Sequence, residues 1–328
     1  MLRHFDMKKW AGPVCLFLAF SLAGTSVVTA RLVSDKLGIF TITSVSLLFA
    51  FLFLLPVYAN KLISSLRSLS AKDLLFLGLQ AMFGIFLFRI FLLNGLLLTS
   101  SIEAGILTGV TPAITAVLAM VVLKEPANVK ALTGIIATVA GVITIQGLFN
   151  ISSGFSLVHL YGNLLVLCAA ASESAFNIIS RFFSAKAELN KKLTVPPPVQ
   201  TVLVSSMAFI LCLIPALFEA PIQRLSAVGL KEWLSLVWYG VLVTALAFIF
   251  WYSGIKRCGA FTAAAFSGMM PFTSMILSVI ILREQAGWHQ WLGGILVLTG
   301  MILVGTTTTP ARASNLQKLN RIKEQTVE

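Results

Sequence analysis

The sequence predicts an all-α polytopic membrane protein, with ten transmembrane helices arranged as two inverted five-helix repeats. Three observations predict it. First, 58% of the 328 residues are apolar and only 11% charged, whereas soluble domains carry about 25% charge; the mean hydropathy is +0.94. Second, ten apolar runs each approach the ~20 residues that span a hydrocarbon core. Third, the second half of the chain repeats the first at a constant offset.

The runs fall at 11–33, 38–58, 73–95, 98–123 and 130–148 in the first half, and at 157–180, 198–217, 233–253, 259–282 and 290–307 in the second. Each is read as a helix, because backbone exposed to lipid must satisfy its own hydrogen bonds. The first run follows Lys8 and Lys9 and holds small residues near its end (Thr29, Ala30), which is also the pattern of a cleavable leader. It matches a later segment of the chain, which a discarded leader has no reason to do, so it is kept as a span. Basic residues favour the cytoplasmic side of a membrane. With the N-terminus inside, the cytoplasmic segments hold eighteen of the 24 Lys and Arg, the outer segments five, and Arg89 alone lies within a span. Both termini are therefore expected in the cytoplasm, and the net charge of +12 reads as a topology signal rather than a nucleic-acid footprint.

The repeat is visible in pairs. Pro112 and Pro271, Glu125 and Glu284, Gly95 and Gly254, Gly109 and Gly268, Gly134 and Gly293, Gly141 and Gly300 all differ by 159 positions. The register holds back through Lys72 with Lys231, Asp73 with Glu232, and Pro56 with Pro215, and Arg31 pairs with Arg181 at an offset of 150. The second half thus carries about nine extra residues, assigned to LNKKLTVPPP between spans six and seven. Five is an odd number, so equivalent segments cross in opposite directions, as in carriers whose two bundles rock about a midplane site. The expected units are a cytoplasmic N-terminus (1–10), two repeats (11–150 and 151–308) and a basic cytoplasmic tail (309–328).

The stretches GILTGVTPAITAVLAMVVLKEP and AAFSGMMPFTSMILSVIILREQ, each followed by a span with two glycines seven apart, carry a family resemblance. The chain resembles the EamA-type carriers of the drug/metabolite transporter superfamily over nearly its whole length. The resemblance implies transport of a small organic solute, export in direction, and alternating access. It implies that the last helix of each half sits peripherally, where it can serve a homodimer or pack internally. Members usually carry a Trp–Gly or Trp–Ala pair midway through the first helix of each half; here those positions read Ala23–Gly24 and Glu173–Ser174. Gly24 is a candidate for the substrate path on that ground.

Three ionisable residues lie clearly within spans, away from their ends: Arg89, Glu103 and Glu173. A charge at the bilayer centre costs about 2.5–3.5 kcal/mol on insertion scales, so such residues face a cavity or a partner. Asn177 and Ser180 follow Glu173 at i+4 and i+7 as one polar stripe. Burial disfavours the carboxylate and lets Glu173 take up a proton near neutral pH, which makes it the candidate for coupling protons to substrate movement. The competing reading pairs Glu173 permanently with Arg89. Arg89 and Glu103 match in depth and are expected to form the static pair; alternatively Arg89 binds a substrate carboxylate or phosphate.

Pro112 and Pro271, preceded by Thr108, Gly109, Ser267 and Gly268, mark expected kinks exposing carbonyls to the cavity. Lys124–Glu125 and Arg283–Glu284 read as interface anchors. Trp238, Tyr239, Trp251 and Tyr252 read as an interfacial belt. His159 and His289 receive no role. Asn150-Ile151-Ser152 is a glycosylation sequon in an outer loop. The four cysteines show no metal or disulfide spacing, and no Walker loop, dinucleotide fingerprint or zincin motif occurs, so no cofactor and no metal site are expected. The expected partners are a small-molecule substrate, the lipid bilayer and protons as coupling ion, with no nucleic acid. The reading is a secondary transporter in the plasma membrane, the bacterial inner membrane in particular. An integral membrane lipid- or prenyl-modifying enzyme would want clustered acids for a metal-bound pyrophosphate, and a channel-like permease would want polar stripes on several helices.

Overall fold

Apolar side chains face outward along most of the chain: Val57, Leu75, Ile136, Ile210 and Ile280 are each more than half exposed. In water such a surface would be a liability; in lipid it is the required exterior. The computed structural model describes residues 7–122, 129–145, 156–189, 195–266 and 269–305. Among them are seven helices long and apolar enough to cross a membrane and three shorter apolar ones. In chain order these are α1 (Met7–Ser34), α2 (Ile39–Ser68), α3 (Ala71–Leu96), α4 (Ser101–Val122), α5 (Val129–Ile145), α6 (Leu157–Leu189), α7 (Pro197–Leu217), α8 (Leu230–Gly254, helical onward to Phe266), α9 (Met269–Ile281) and α10 (Trp288–Gly305).

Packing between the halves comes in matched pairs. α1 packs on α8 as α6 packs on α3; α1 packs on α9 as α6 packs on α4; and α2·α7, α4·α9 and α5·α10 pair equivalents with each other. The glycines give the relative direction. A Cβ at Gly134 would lie 2.8 Å from Gly300 O, and one at Gly141 2.8 Å from Gly293 O. As the number rises on α5 it falls on α10, so the two equivalent helices run antiparallel. α4 and α9 do the same, with Gly105 against Ser274 and Gly109 against Pro271. Only an inverted relation between the halves places equivalent helices head to tail.

This seam occupies the glycine faces of α5 and α10 internally. In lipid, close van der Waals approach is what holds such helices. Replacing Gly141 with Leu inserts a side chain where backbone already sits, and overpacking of this kind costs about 1–3 kcal/mol. The expected result is a lowered unfolding midpoint for the purified protein in detergent, with no such loss for Leu132→Ala on the exposed face of α5.

Helix starts repeat as well. Ser70 N donates to Asp73 Oδ2 at 2.9 Å at the head of α3, and Gly229 N donates to Glu232 Oε2 at 2.8 Å at the head of α8. These acids are equivalent, and each satisfies a free N–H of the first turn. Both helices then loosen into π-helical turns, Met82–Leu87 in α3 and Trp238–Leu246 in α8. Such bulges cluster at functional sites.

Two other helix heads are capped from the opposite half. Glu219 accepts from Phe40 N (3.1 Å), Thr41 N (2.7 Å) and Thr41 Oγ1 (2.7 Å) at the start of α2. Glu284 accepts from Ser101 N (3.1 Å) and Ile102 N (2.9 Å) at the start of α4. Glu284 is therefore an inter-half cap rather than an interface anchor: its carboxylate complements the free N–H groups and positive dipole end of α4. Lys124, Glu125, Ser267, Gly268 and the Asn150 sequon lie outside the described residues.

Three helices run well past their expected ends. α2 runs ten residues past 58, to Ser68, because nothing breaks it before the Ser70–Asp73 cap. α6 continues past 180 to Leu189. α8 stays helical to Phe266 through the stretch where a turn was expected, since that stretch holds no proline to remove a helical hydrogen bond.

Candidate functional site

The two π-helical turns face one cavity. Its walls come from α1 (Ala19, Phe20, Ala23, Ser26) and α3 (Gly84, Ile85, Phe88, Arg89) of the first half. The second half supplies α6 (Glu173, Phe176, Asn177), α8 (Tyr239, Val243, Thr244, Ala247, Phe248, Trp251) and Met270 of α9. The free volume is about 100 Å³. The walls are therefore built on equivalent helices, α1 with α6 and α3 with α8.

Arg89 follows directly on the π turn of α3 and is buried, at 4% exposure. Its Nη1 donates to Ser46 Oγ at 2.7 Å and its Nη2 to Thr244 Oγ1. Its guanidinium lies 4.1 Å from the centre of the Tyr239 ring, a cation–π contact. Both hydroxyls commit their own protons to backbone carbonyls, Ser46 to Thr43 O (3.0 Å) and Thr244 to Tyr239 O (2.8 Å). The second of these carbonyls lies five residues back, at the loosened turn. The π segment of α8 thus helps fix the arginine.

Glu173 is held by α4. That helix is interrupted between Ser101–Thr108 and Thr111–Val122. Pro112 is the second residue of the latter segment, where its missing N–H has no helical partner to lose. Thr111 Oγ1 lies 2.9 Å from Glu173 Oε2 and 2.9 Å from Thr108 O. Ser174 Oγ lies 3.0 Å from Thr111 O and 2.8 Å from Ala170 O, its one proton serving either carbonyl. The backbone at the break is thus met by the pair Glu173–Ser174 from the other half. The equivalent pair, Ala23–Gly24, meets α9: a Cβ on Gly24 would lie 2.5 Å from Met270 O. Ala23 lines the cavity and Gly24 packs behind it.

The hydroxyl of Thr111 has one proton and two acceptors in reach. With Glu173 ionised, that proton serves either the carboxylate or Thr108 O. With Glu173 protonated, the acid donates to Thr111 and Thr111 donates to Thr108, so both bonds form together. The site is built to tolerate either protonation state.

Of the other residues singled out from sequence, Asn177 lines the cavity beside Glu173 and Ser180 is buried further along α6. Thr108 donates to Gly105 O at 2.7 Å, Gly109 sits at the break, and Pro271 packs against Gly109. The expected Arg89–Glu103 pair is absent. Glu103 faces α6 and α10 instead, accepting from Asn163 Nδ2 (2.8 Å) and Gln290 Nε2 (2.9 Å), with His159 Nε2 2.7 Å from its Oε2. The two side chains leave their helices in different directions: Glu103 stands in the first turn of α4, whereas Arg89 lies back from the Leu96 end of α3, on the cavity wall. His159, given no role from sequence, belongs to this cluster.

The belt assignment fails for three of its four members. Tyr239 is buried at 1% exposure beneath Arg89. Trp251 and Tyr252 join Phe176 and Phe248 in an aromatic group with ring centres 4.9–6.2 Å apart. Only Trp238 is exposed at all widely, at 42%, and its Nε1 still donates to Thr25 Oγ1 at 2.9 Å. The shared spacing of two aromatics at 238–239 and at 251–252 was the available signal for a cavity wall.

Comparison with known proteins agrees with this architecture. The chain is 31% identical over 297 residues to the "Uncharacterized transporter YetK" of Bacillus subtilis, covering 90% of this chain and 87% of that one. An "Uncharacterized transporter" of Clostridium kluyveri is 21% identical over 316 residues, 95% of this chain and 97% of the other. A solved crystal structure matches with a TM-score of 0.60 at 20% identity, covering 90% of this chain and 96% of that chain, which shows the fold alone. The model of one family fits the chain twice, at residues 10–146 and 160–306. With five apolar helices described in each fitted half, this multi-pass membrane protein belongs to the EamA-like transporter family.

Proposed function

We propose that this transporter is a proton-coupled secondary carrier that exports a small organic metabolite across the plasma membrane by alternating access. The observation that carries this reading is the cavity shared by equivalent helices of the two halves, with Glu173 on its wall tied through Thr111 to the break in α4. Inverted halves around one site exchange their conformations to expose it to either face. The break in α4 supplies a place where backbone geometry can change without unravelling a continuous helix. The relatives are named as transporters, which accords with this reading.

Counterflow tests it. Proteoliposomes preloaded with an unlabelled metabolite pool are expected to accumulate labelled members of that pool transiently, and a channel or an enzyme would show no such exchange. In the proposed orientation both termini lie in the cytoplasm, with Lys72 inside and Lys231 outside. With native cysteines replaced by serine, an impermeant maleimide added to intact cells is expected to label Lys231→Cys and spare Lys72→Cys. Labelling of both from one side would sink the orientation.

A further inference from the structure

The two charged side chains of the cavity wall come from opposite halves and do not pair. Among the described residues, the ion pairs are Lys36–Glu232 and His159–Glu103; Arg89 has no carboxylate within 4 Å. Its hydrogen-bond partners, Ser46 and Thr244, are neutral, and their protons are spent on backbone carbonyls. They therefore orient the guanidinium without cancelling its charge. Two of its five N–H groups are used in this way, leaving donors for a ligand. A buried cation with neutral partners only is costly in lipid, and an arriving anion would relieve that cost.

The wall's charge then depends on one proton. With Glu173 ionised, Arg89 and Glu173 sum to zero. With Glu173 protonated, the cavity carries one uncompensated positive charge. The other titratable group facing Glu173 across the cavity is Tyr239, a phenol that remains neutral and whose ring already lies against Arg89. Glu103 is on α4 and Tyr252 on α8, both packed nearby, but neither lines the cavity. The remaining wall is aromatic and aliphatic, suited to a small apolar body.

We propose that the cargo is a small organic monoanion, a carboxylate or similar oxyanion on an apolar body. It docks on Arg89 when Glu173 holds a proton, so that one proton and one negative charge cross together. This rests on the carrier reading above and specifies its substrate class. The cycle is electroneutral, and its net direction follows the combined gradients of anion and proton. Export results wherever the internal excess of the anion outweighs the inward proton gradient.

Binding tests the proposal separately from flux. Three probes of similar size keep fixed charges across the pH range: methanesulfonate (anion), dimethyl sulfone (neutral) and tetramethylammonium (cation). Their methyl signals allow ligand-observed saturation-transfer NMR on the full chain in nanodiscs. Methanesulfonate is expected to bind at least about tenfold more tightly at pH 5.5 than at pH 8, a difference of one pKa-unit equivalent, and the cation is expected not to bind. Glu173→Gln is expected to bind the anion equally at both pH values. Arg89→Gln is expected to lose binding, and Arg89→Lys, which keeps the charge and guards against a merely unfolded variant, to retain it in part. Preference for tetramethylammonium or the sulfone, pH-independent anion binding by the wild type, no binding of any probe, or anion binding unchanged in Arg89→Gln would each overturn it. Anion binding without counterflow would instead overturn the carrier reading and leave this site standing.

Discussion

Glu173→Gln is expected to abolish the response of steady-state solute distribution to the proton gradient while leaving exchange intact. With one proton moved per solute, each pH unit across the membrane is worth about 1.4 kcal/mol, a tenfold change in the solute ratio at equilibrium. Wild-type proteoliposomes should therefore shift their internal-to-external ratio about tenfold per imposed pH unit. Glutamine fills the same space and still offers an amide to Thr111, whose hydroxyl lies 2.9 Å from the acid in the native site. It cannot take up or release a proton. Counterflow needs no net proton movement, so it should survive in the variant. A Glu173→Gln protein with the wild-type gradient response would remove Glu173 from the coupling mechanism, and would leave the fold and family untouched.

The largest expected effect on stability lies elsewhere, at Glu103. Its carboxylate is the common acceptor for Asn163 of α6 and Gln290 of α10 and lies beside His159. It is buried at 4% exposure. Glu103→Ala would remove the shared acceptor of those amides, and removing one partner from a buried charged network costs about 3–5 kcal/mol. Glu103→Gln keeps an acceptor oxygen and should cost less, about 1–2 kcal/mol. Equilibrium unfolding of both variants in mixed detergent micelles would rank them. A neutral Glu103→Ala would show that the cluster contributes nothing to holding α4, α6 and α10 together.

The cluster also distinguishes the two ends of the bundle. The positions equivalent to Glu103, Asn163 and Gln290 in the opposite half are Thr262, Pro13 and Ala131, which cannot reproduce it. The end that holds Glu103 also holds the Glu219 and Glu284 caps and the Lys36–Glu232 pair at 2.6 Å. At the other side of the cavity stand the rings of Phe176, Phe248, Trp251 and Tyr252, and Tyr252 reaches Gln80 of α3 through its hydroxyl at 3.3 Å. The two repeats thus carry different contacts at their two ends.

What the sequence determined by itself was the succession of apolar helices and their duplication. Transfer of a side chain into lipid is a property of that side chain, so hydropathy reports it directly. The offset between Pro112 and Pro271, or between Asp73 and Glu232, needs no coordinates. Arg89, Glu103 and Glu173, which the structure places in polar contacts inside the bundle, could be singled out for the same reason, since an ionisable group inside a span is conspicuous.

Tertiary structure alone decided which way those groups point. In a helix that is apolar nearly all round, no amphipathic stripe records the rotation about its axis. Arg89 and Glu103 therefore looked like partners by depth, yet the first turns toward α2 and α8 and the second toward α6 and α10. The π turns, which rotate the residues after them, left no signal in residue type: Gly84 and Gly240 are not at equivalent positions. Tyr239 and Trp251 were placed at the interface because aromatic composition speaks of boundaries, whereas their packing beneath Arg89 and beside Phe176 depends on how α8 lies against α3 and α6. Hydropathy is written in single residues; azimuth is set only when helices meet.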